Sequence, residues 1–155
     1  MAKYVIYPIG FIRKRENGDY LEILSEYRSA MLHLETISHI FVLWWIHESD
    51  DSNARKTLLT IPRVTNSLES PQEMGIFATR SPMRPNPVGL TLVKILRVSE
   101  SQVFIDHIDA FDGTPIIDIK PYLPNADRVE KDIELPPWFQ HLLTSRPSDK
   151  RISKK

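Results

Sequence analysis

Cysteine is absent from this 155-residue chain, which removes disulfide frameworks and thiolate metal sites from consideration. Five histidines are scattered without close His/Asp/Glu spacing, so no dedicated zinc site is expected. No apolar run approaches a membrane span, and Met1-Ala-Lys-Tyr-Val-Ile-Tyr-Pro8 lacks the long apolar region of a signal peptide. The expectation is a cytoplasmic protein without membrane contact. Neither sign of charge is in excess, with 20 basic residues against 20 acidic ones. Overall charge therefore gives no argument for nucleic acid, and such a role would need a local basic patch. Walker and Gly-x-Gly-x-x-Gly loops are missing, so a nucleotide cofactor would not be bound in the usual strand–loop–helix manner.

What the chain does have is a stiff polar loop. Gly75-Ile-Phe-Ala-Thr-Arg-Ser-Pro-Met-Arg-Pro-Asn-Pro-Val-Gly89 packs two arginines and three prolines between strand-like segments. Proline fixes φ and restricts the residue before it, so Pro82, Pro85 and Pro87 hold Ser81, Arg84 and Asn86 extended. Such a loop presents Arg80, Arg84 and Asn86 at little entropic cost, a set suited to a carboxylate, a phosphate or a base edge. The bland alternative is a rigid turn with solvated arginines.

Length and a 41% hydrophobic content suit one core. Val5 to Arg13 reads as a strand bent at Pro8 or Gly10, Asn17-Gly18-Asp19 as a turn, and Tyr20 to Ile23 as a short strand. Ser25 to Leu34 is open between helical turn and strand. Ile40 to Ile46 is an apolar run that reads as a strand buried on both faces; Trp44 and Trp45 point to opposite faces, one into the core and the other to a partner subunit or a pocket, with core the preferred reading for both. Arg55 to Val64 and Gly75 to Arg80 are strand-like. Val88 to Val98 alternates with Leu90, Leu92, Ile95 and Val98 on its apolar face, then pairs with Val103 to Ile108 across Ser99-Glu-Ser101. Asp112-Gly113 is a turn before Ile116 to Ile119. Pro136-Pro137 opens one short C-terminal helix, and 146–155 is a basic, disordered tail. These elements predict an all-β fold, a single β-barrel domain over residues 1–145 with one short C-terminal helix.

His47 and Glu48 emerge from the long apolar strand, where active-site groups commonly sit. Asp112 to Pro115 offers a carboxylate, a hydroxyl and backbone groups, although a plain Asp-Gly hairpin turn reads equally well. Tyr122, beside Pro121, either stacks on a base or closes a barrel end.

Tyr7-Pro-Ile-Gly-Phe-Ile-Arg13, Leu34-Glu-Thr-Ile-Ser-His-Ile-Phe-Val-Leu-Trp-Trp-Ile-His47, the 75–90 loop and Asp109-Ala-Phe-Asp-Gly-Thr-Pro-Ile-Ile-Asp-Ile-Lys-Pro-Tyr-Leu-Pro124 together resemble the TrmO (TsaA-like, VirR/YaeB) family. The resemblance implies a homodimeric β-barrel enzyme that uses S-adenosyl-L-methionine to N6-methylate threonylcarbamoyladenosine beside the anticodon of tRNA, without a metal. Carried over by motif, the cofactor site comprises His47, Glu48, Arg80, Leu90, Asp112, Gly113 and Thr114. Arg84, Asn86 and Tyr122 are candidates for the RNA, and Asp112 or His47 for accepting the N6 proton. Two departures stand out: Lys14 to Ile23 lacks the family's Pro/Gln/Gly-rich segment, and the additional C-terminal domain of longer members is missing. A non-catalytic RNA-binding module and a methyltransferase with a small-molecule acceptor stay open.

Overall fold

The computed structural model describes residues 3–62 and 72–136. The predicted C-terminal helix and the basic tail fall outside them. Contacts divide the chain into two compact units, one of Met1–Leu58 with Pro82–Asp127 and one of Leu59–Ser81 with Arg128–Lys155.

In the first unit six strands close into an antiparallel barrel: β1 (Gly10–Arg15), β2 (Gly18–Ile23), β3 (His39–Trp45), β6 (Val88–Ser99), β7 (Gln102–Ile105) and β8 (Pro115–Pro121). The order around the wall is β1-β2-β7-β6-β3-β8, and β8 returns to β1 through Gly10↔Ile116 and Phe11↔Pro115. Closure removes every free sheet edge. The second unit contributes a two-stranded ladder of β4 (Leu59–Thr60) and β5 (Met74–Gly75). The predicted mainly-β barrel is therefore the observed fold.

Alternation builds the core. Ile12, Leu21, Ile23, Ile40, Val42, Val93, Val103, Ile105 and Ile116 point inward, and Met31, Ile108 and Ala110 close the ends. Trp44 packs against this core, and its indole lies over Gly89, where a Cβ would meet ring carbons at 2.3 Å. Only glycine leaves room for the ring there.

Several expectations change. β3 is buried on one face only, because a single-layer wall turns Phe41 and Leu43 outward while Ile40 and Val42 are fully buried. Trp45 accordingly faces outside rather than into the core. Leu90 and Leu92 are exposed as well; the inward positions are Gly89, Thr91, Val93 and Ile95, and the phase reverses at a bulge between Ile95 and Arg97 so that Val98 faces in. The strand expected from Val5 begins only at Gly10, since Pro8 has no N–H to donate. Arg55 and Lys56 end a short helix, α1 (Ser52–Lys56), because the Asp51 carboxylate caps the N–H groups of Asn53 and Ala54. After β5 the chain makes a 3-10 turn, Ile76–Ala78, and β7 stops at Ile105. The ambiguous 25–34 stretch holds a 3-10 turn, Ser25–Met31. A second short helix, α2 (Pro124–Asp127), follows β8.

Candidate functional site

Because all six strands are antiparallel to their neighbours, the C-terminal ends of β1, β3 and β7 meet the N-terminal ends of β2, β6 and β8. The pairs Arg15↔Gly18, Asp19↔Ile105, Trp45↔Val88 and Trp44↔Ile116 mark this rim. Loops 46–58, 82–87 and 106–114 therefore leave the barrel at one end. The opposite end, the base, carries 24–38, 100–101 and 121–127.

On the β1 side the rim is tied together by ionic and backbone bonds. Asp112 Oδ1 accepts the Lys14 backbone N–H at 2.8 Å and pairs with Arg15 at 3.1 Å. Gly113 N donates to Ile12 O and Ile12 N to Thr114 O, both at 2.8 Å, so the Asp112–Thr114 turn is stitched to β1. Beneath it the Lys14 ammonium bonds Asp19 Oδ2 at 2.7 Å and the Ile108 carbonyl. The same Asp19 oxygen accepts the Ile108 N–H at 3.1 Å and lies 3.2 Å from His107 Nδ1. Burial opposes ionisation of Asp19, yet the Lys14 and Ile108 hydrogen bonds and the nearby charges of Lys14 and His107 outweigh it and hold the carboxyl below its ordinary value. The Asp112 carboxyl is also lowered, chiefly by the Lys14 N–H, against slight desolvation, with help from Arg15 and Arg13.

On the β3 side Asp50 is the organiser. It accepts from Trp45 Nε1 at 2.8 Å and from Arg55 Nε at 2.5 Å, and these two bonds lower its pKa. Arg55 stacks 5.5 Å from the Trp45 ring and donates to the Pro85 carbonyl at 3.3 Å, while Ile46 N donates to Pro87 O at 2.7 Å. The end of the Pro-rich loop is thereby tethered to the segment that carries His47 and Glu48. Outside this wall runs a groove of about 1020 Å³ lined by Trp45, Arg55, Asn86, Val88, Pro115 and Ile117, with residues of the N-terminal segment 3–8 along one side.

Of the residues singled out in the sequence, the rim gathers His47 and Glu48 after β3, Arg84 and Asn86 before β6, and Asp112, Gly113 and Thr114 before β8. No hydrogen bond joins His47 or Glu48 to the 112–114 turn among the described residues. Leu90 lies near the rim but outward, opposite Leu43 and about half exposed. Arg80 is exposed and belongs to the second unit. Tyr122 sits at the base, edge-on to Phe41 with centroids 5.9 Å apart, and its N–H donates to His39 O. Within one chain it is not part of the rim.

Sequence reasoning passed over Asp19, Lys14, Asp50 and Arg55, which hold the rim in shape. Their bonds cross between strands and loops or depend on a helix whose last residues, Arg55 and Lys56, were read as strand. Asp51 three residues ahead of Ala54 was the signal that could have exposed α1.

The arrangement fits a small polar ligand with an aromatic or apolar part. Thr114 is buried at 1% exposure, and its hydroxyl makes no hydrogen bond with any described residue. Gly113 holds φ at +78°, and nothing lies within 4 Å of where a Cβ would stand, so a ligand can approach the backbone. Asp112 keeps Oδ2 without a partner among the described residues. Carboxylates for ribose hydroxyls, an unpaired hydroxyl and an adjoining groove with a Trp45 wall form a donor set that suits a nucleoside-containing cofactor.

Fold and rim define a small barrel protein that gathers its candidate site residues on loops at one end. The chain belongs to the tRNA-methyltransferase O family, whose N-terminal domain it matches over residues 7–128. It is 41% identical over 126 residues to a probable S-adenosyl-L-methionine-binding protein of Methanocaldococcus jannaschii, covering 80% of this chain and 96% of that protein. A tRNA (adenine(37)-N6)-methyltransferase of Mus musculus is 36% identical over 68% of this chain, which spans 23% of the mouse protein. Among solved structures, TrmO from Pseudomonas aeruginosa superimposes with a TM-score of 0.63 at 28% identity, covering 85% of this chain and 62% of that one.

Proposed function

We propose that this protein is an S-adenosyl-L-methionine-dependent methyltransferase that methylates N6 of an adenosine beside the anticodon of tRNA, threonylcarbamoyladenosine being the acceptor the motifs suggest. Membership of the family, with the Asp112–Thr114 turn stitched onto β1 at the open rim, is the observation that carries the reading.

Bound in the rim, the cofactor supplies an electrophilic methyl on a sulfonium for direct displacement. The residues of the chain then have to position both partners and receive a proton. Asp112 and Glu48 offer carboxylates to ribose hydroxyls, the Thr114 hydroxyl and the open Gly113 backbone line the cofactor, and Leu90 gives an apolar neighbour for adenine. The motif resemblance, and no placement in the rim, makes Arg80 the candidate guanidinium for the methionine carboxylate. Arg84, half-buried and without an ion pair to any described residue, is assigned to an RNA phosphate or the threonyl carboxylate. Asn86, whose carbonyl accepts the Val88 N–H, presents its side chain to the groove and thus to a base edge. Asp112 is a poor proton acceptor because its carboxyl is already stabilised as the anion. His47, exposed and without a hydrogen-bond partner among the described residues, is the better one. The chemistry needs no metal.

A homodimer in the cytoplasm belongs to the same proposal. The outward residues Phe41, Leu43 and Leu92 make an apolar strip on β3 and β6 suited to a second copy, which would also bring its own Tyr122 near the RNA. Residues 1–145 act here as one methyltransferase domain, followed by a basic tail.

Incubation with methyl-labelled S-adenosyl-L-methionine and tRNA lacking the methyl group tests the reading. Transfer of label to adenosine N6, abolished in His47→Ala, is expected. Cofactor binding without transfer to any tRNA would overturn the assigned acceptor and favour a binding module or a small-molecule substrate.

A further inference from the structure

One row of side chains on the outer wall, Arg13 at its end apart, has no part in the site above. It crosses four neighbouring strands in register: Arg13 on β1 opposite Tyr20 on β2, Tyr20 opposite Phe104 on β7, and Phe104 opposite Arg97 on β6. The rings of Tyr20 and Phe104 lie with centroids 5.4 Å apart, tilted by 35°. The Arg97 guanidinium stacks over Phe104, 4.1 Å from its centroid. On the other flank Arg13 stands 5.5 Å from the Phe11 ring and is neutralised by Glu22, with contacts of 2.6 and 2.7 Å.

Three features set the row apart from an ordinary outer face. Arg97 has no acidic partner among the described residues, whereas Arg13, Lys14 and Arg15 all have one. The bulge between Ile95 and Arg97 puts Arg97 on the outer face; continued alternation would have turned it inward, in phase with Ile95. The row is also one residue pair from the rim, since Asp19↔Ile105 is the next pair and loop 106–114 starts immediately after.

We propose that Tyr20, Phe104 and Arg97 form an RNA-binding strip on the barrel wall, which takes an unpaired nucleotide flanking the one that enters the rim. The proposal rests on the tRNA reading above and extends it to a second contact surface. Tyr20, backed by Phe104, supplies a plane on which a base stacks. Arg97 is preordered by the ring beneath it and turns its N–H edge to a phosphate. Stacking tolerates any base, so the strip binds single-stranded RNA without reading its sequence, and the rim supplies the choice of adenosine.

Anisotropy of a fluorescent anticodon stem-loop RNA tests this with Tyr20→Leu, Tyr20→Phe and Arg97→Gln proteins. Tyr20→Leu and Arg97→Gln should each weaken RNA binding about tenfold, with Arg97→Gln also lowering the slope of log affinity against log salt by about one. Tyr20→Phe should bind as wild type. S-adenosyl-L-methionine affinity by calorimetry and mass by light scattering should be unchanged in all three, which shows that fold and assembly persist. RNA affinity unaltered in both Tyr20→Leu and Arg97→Gln would overturn the strip while leaving the tRNA reading standing. A change in mass would overturn it too and identify the row as a contact between copies. A wild-type protein that binds the cofactor but no RNA would fail the tRNA reading itself, and the strip with it.

Discussion

The two ends of the barrel solve the same closure problem with opposite chemistry. At the base, Met31, Tyr27, Leu34 and Ile37 pack against Ile9 and Ile119 around a cleft of about 460 Å³, with little polar bridging. At the rim, closure depends on Asp19, Asp50 and Asp112, each bonded to a cation and to an N–H group, and for Asp19 and Asp112 these bonds reach segments distant in sequence. Apolar packing is the stronger way to shut a barrel, and carboxylates held by hydrogen bonds are the way to keep backbone and side chains available to a ligand. The difference is the reason for proposing the functional site at the rim, where local stability has been exchanged for presented polar groups.

Substitutions that exchange these two behaviours should separate them. Met31→Ala at the base removes a buried side chain and should cost about 3 kcal/mol in urea unfolding, while cofactor affinity of the folded protein stays near wild type. In the wall, Gly89→Ala drives a methyl into the Trp44 indole and should cost about 2 kcal/mol, with a shifted tryptophan emission as the ring is displaced.

At the rim, Asp19→Asn should cost about 1–2 kcal/mol at pH 7, less than the base substitution, but should weaken cofactor binding through the loosened 106–114 loop. Its pH dependence has a definite sign. The Asp19 carboxyl is held below its ordinary value of 3.8 in the folded protein. Its contribution is therefore fully present above that value and disappears as pH falls through the lower folded one. Wild type and Asp19→Asn should converge in stability in strong acid, and a gap that persists there would show that packing, rather than charge, is what Asp19 supplies. The smallest effect is expected from Asp51→Ala, about 0.5–1 kcal/mol for a lost cap on a helix that carries Arg55 toward the Pro-rich loop.

The barrel was legible in the sequence because its hairpins are. Asn17-Gly18 joins β1 to β2, the Ser99 to Ser101 break joins β6 to β7, and the run around Ile40 and Val42 is β3, whereas Asp112-Gly113 marks a turn that closes no hairpin, because β8 pairs with β1 and β3 and not with β7. What stayed hidden has a common cause. Outer-face residues such as Leu90, Leu92 and Trp45 are as apolar as inner ones, so composition cannot report the phase of a strand, and the bulge at Ile95 reverses that phase midway. Pattern alone gave no warning of it. The rim residues His47, Glu48, Asp112 and Thr114 were singled out by their places at a strand end and in a turn, and the motif resemblance alone assigned them to a cofactor. The bridges that hold their loops, such as Asp19 to Ile108 and His107 and Asp112 to Lys14 and Arg15, depend on contacts between segments far apart in sequence, which no local signal encodes.

The central claim is that the Asp112–Thr114 turn holds S-adenosyl-L-methionine. Calorimetric titration of that compound into the wild-type, Asp112→Asn and Met31→Ala proteins tests it most directly. Micromolar binding by wild type, at least tenfold weaker binding by Asp112→Asn and unchanged binding by Met31→Ala are the predicted results; equal affinity in wild type and Asp112→Asn, or no binding at all, would contradict the account.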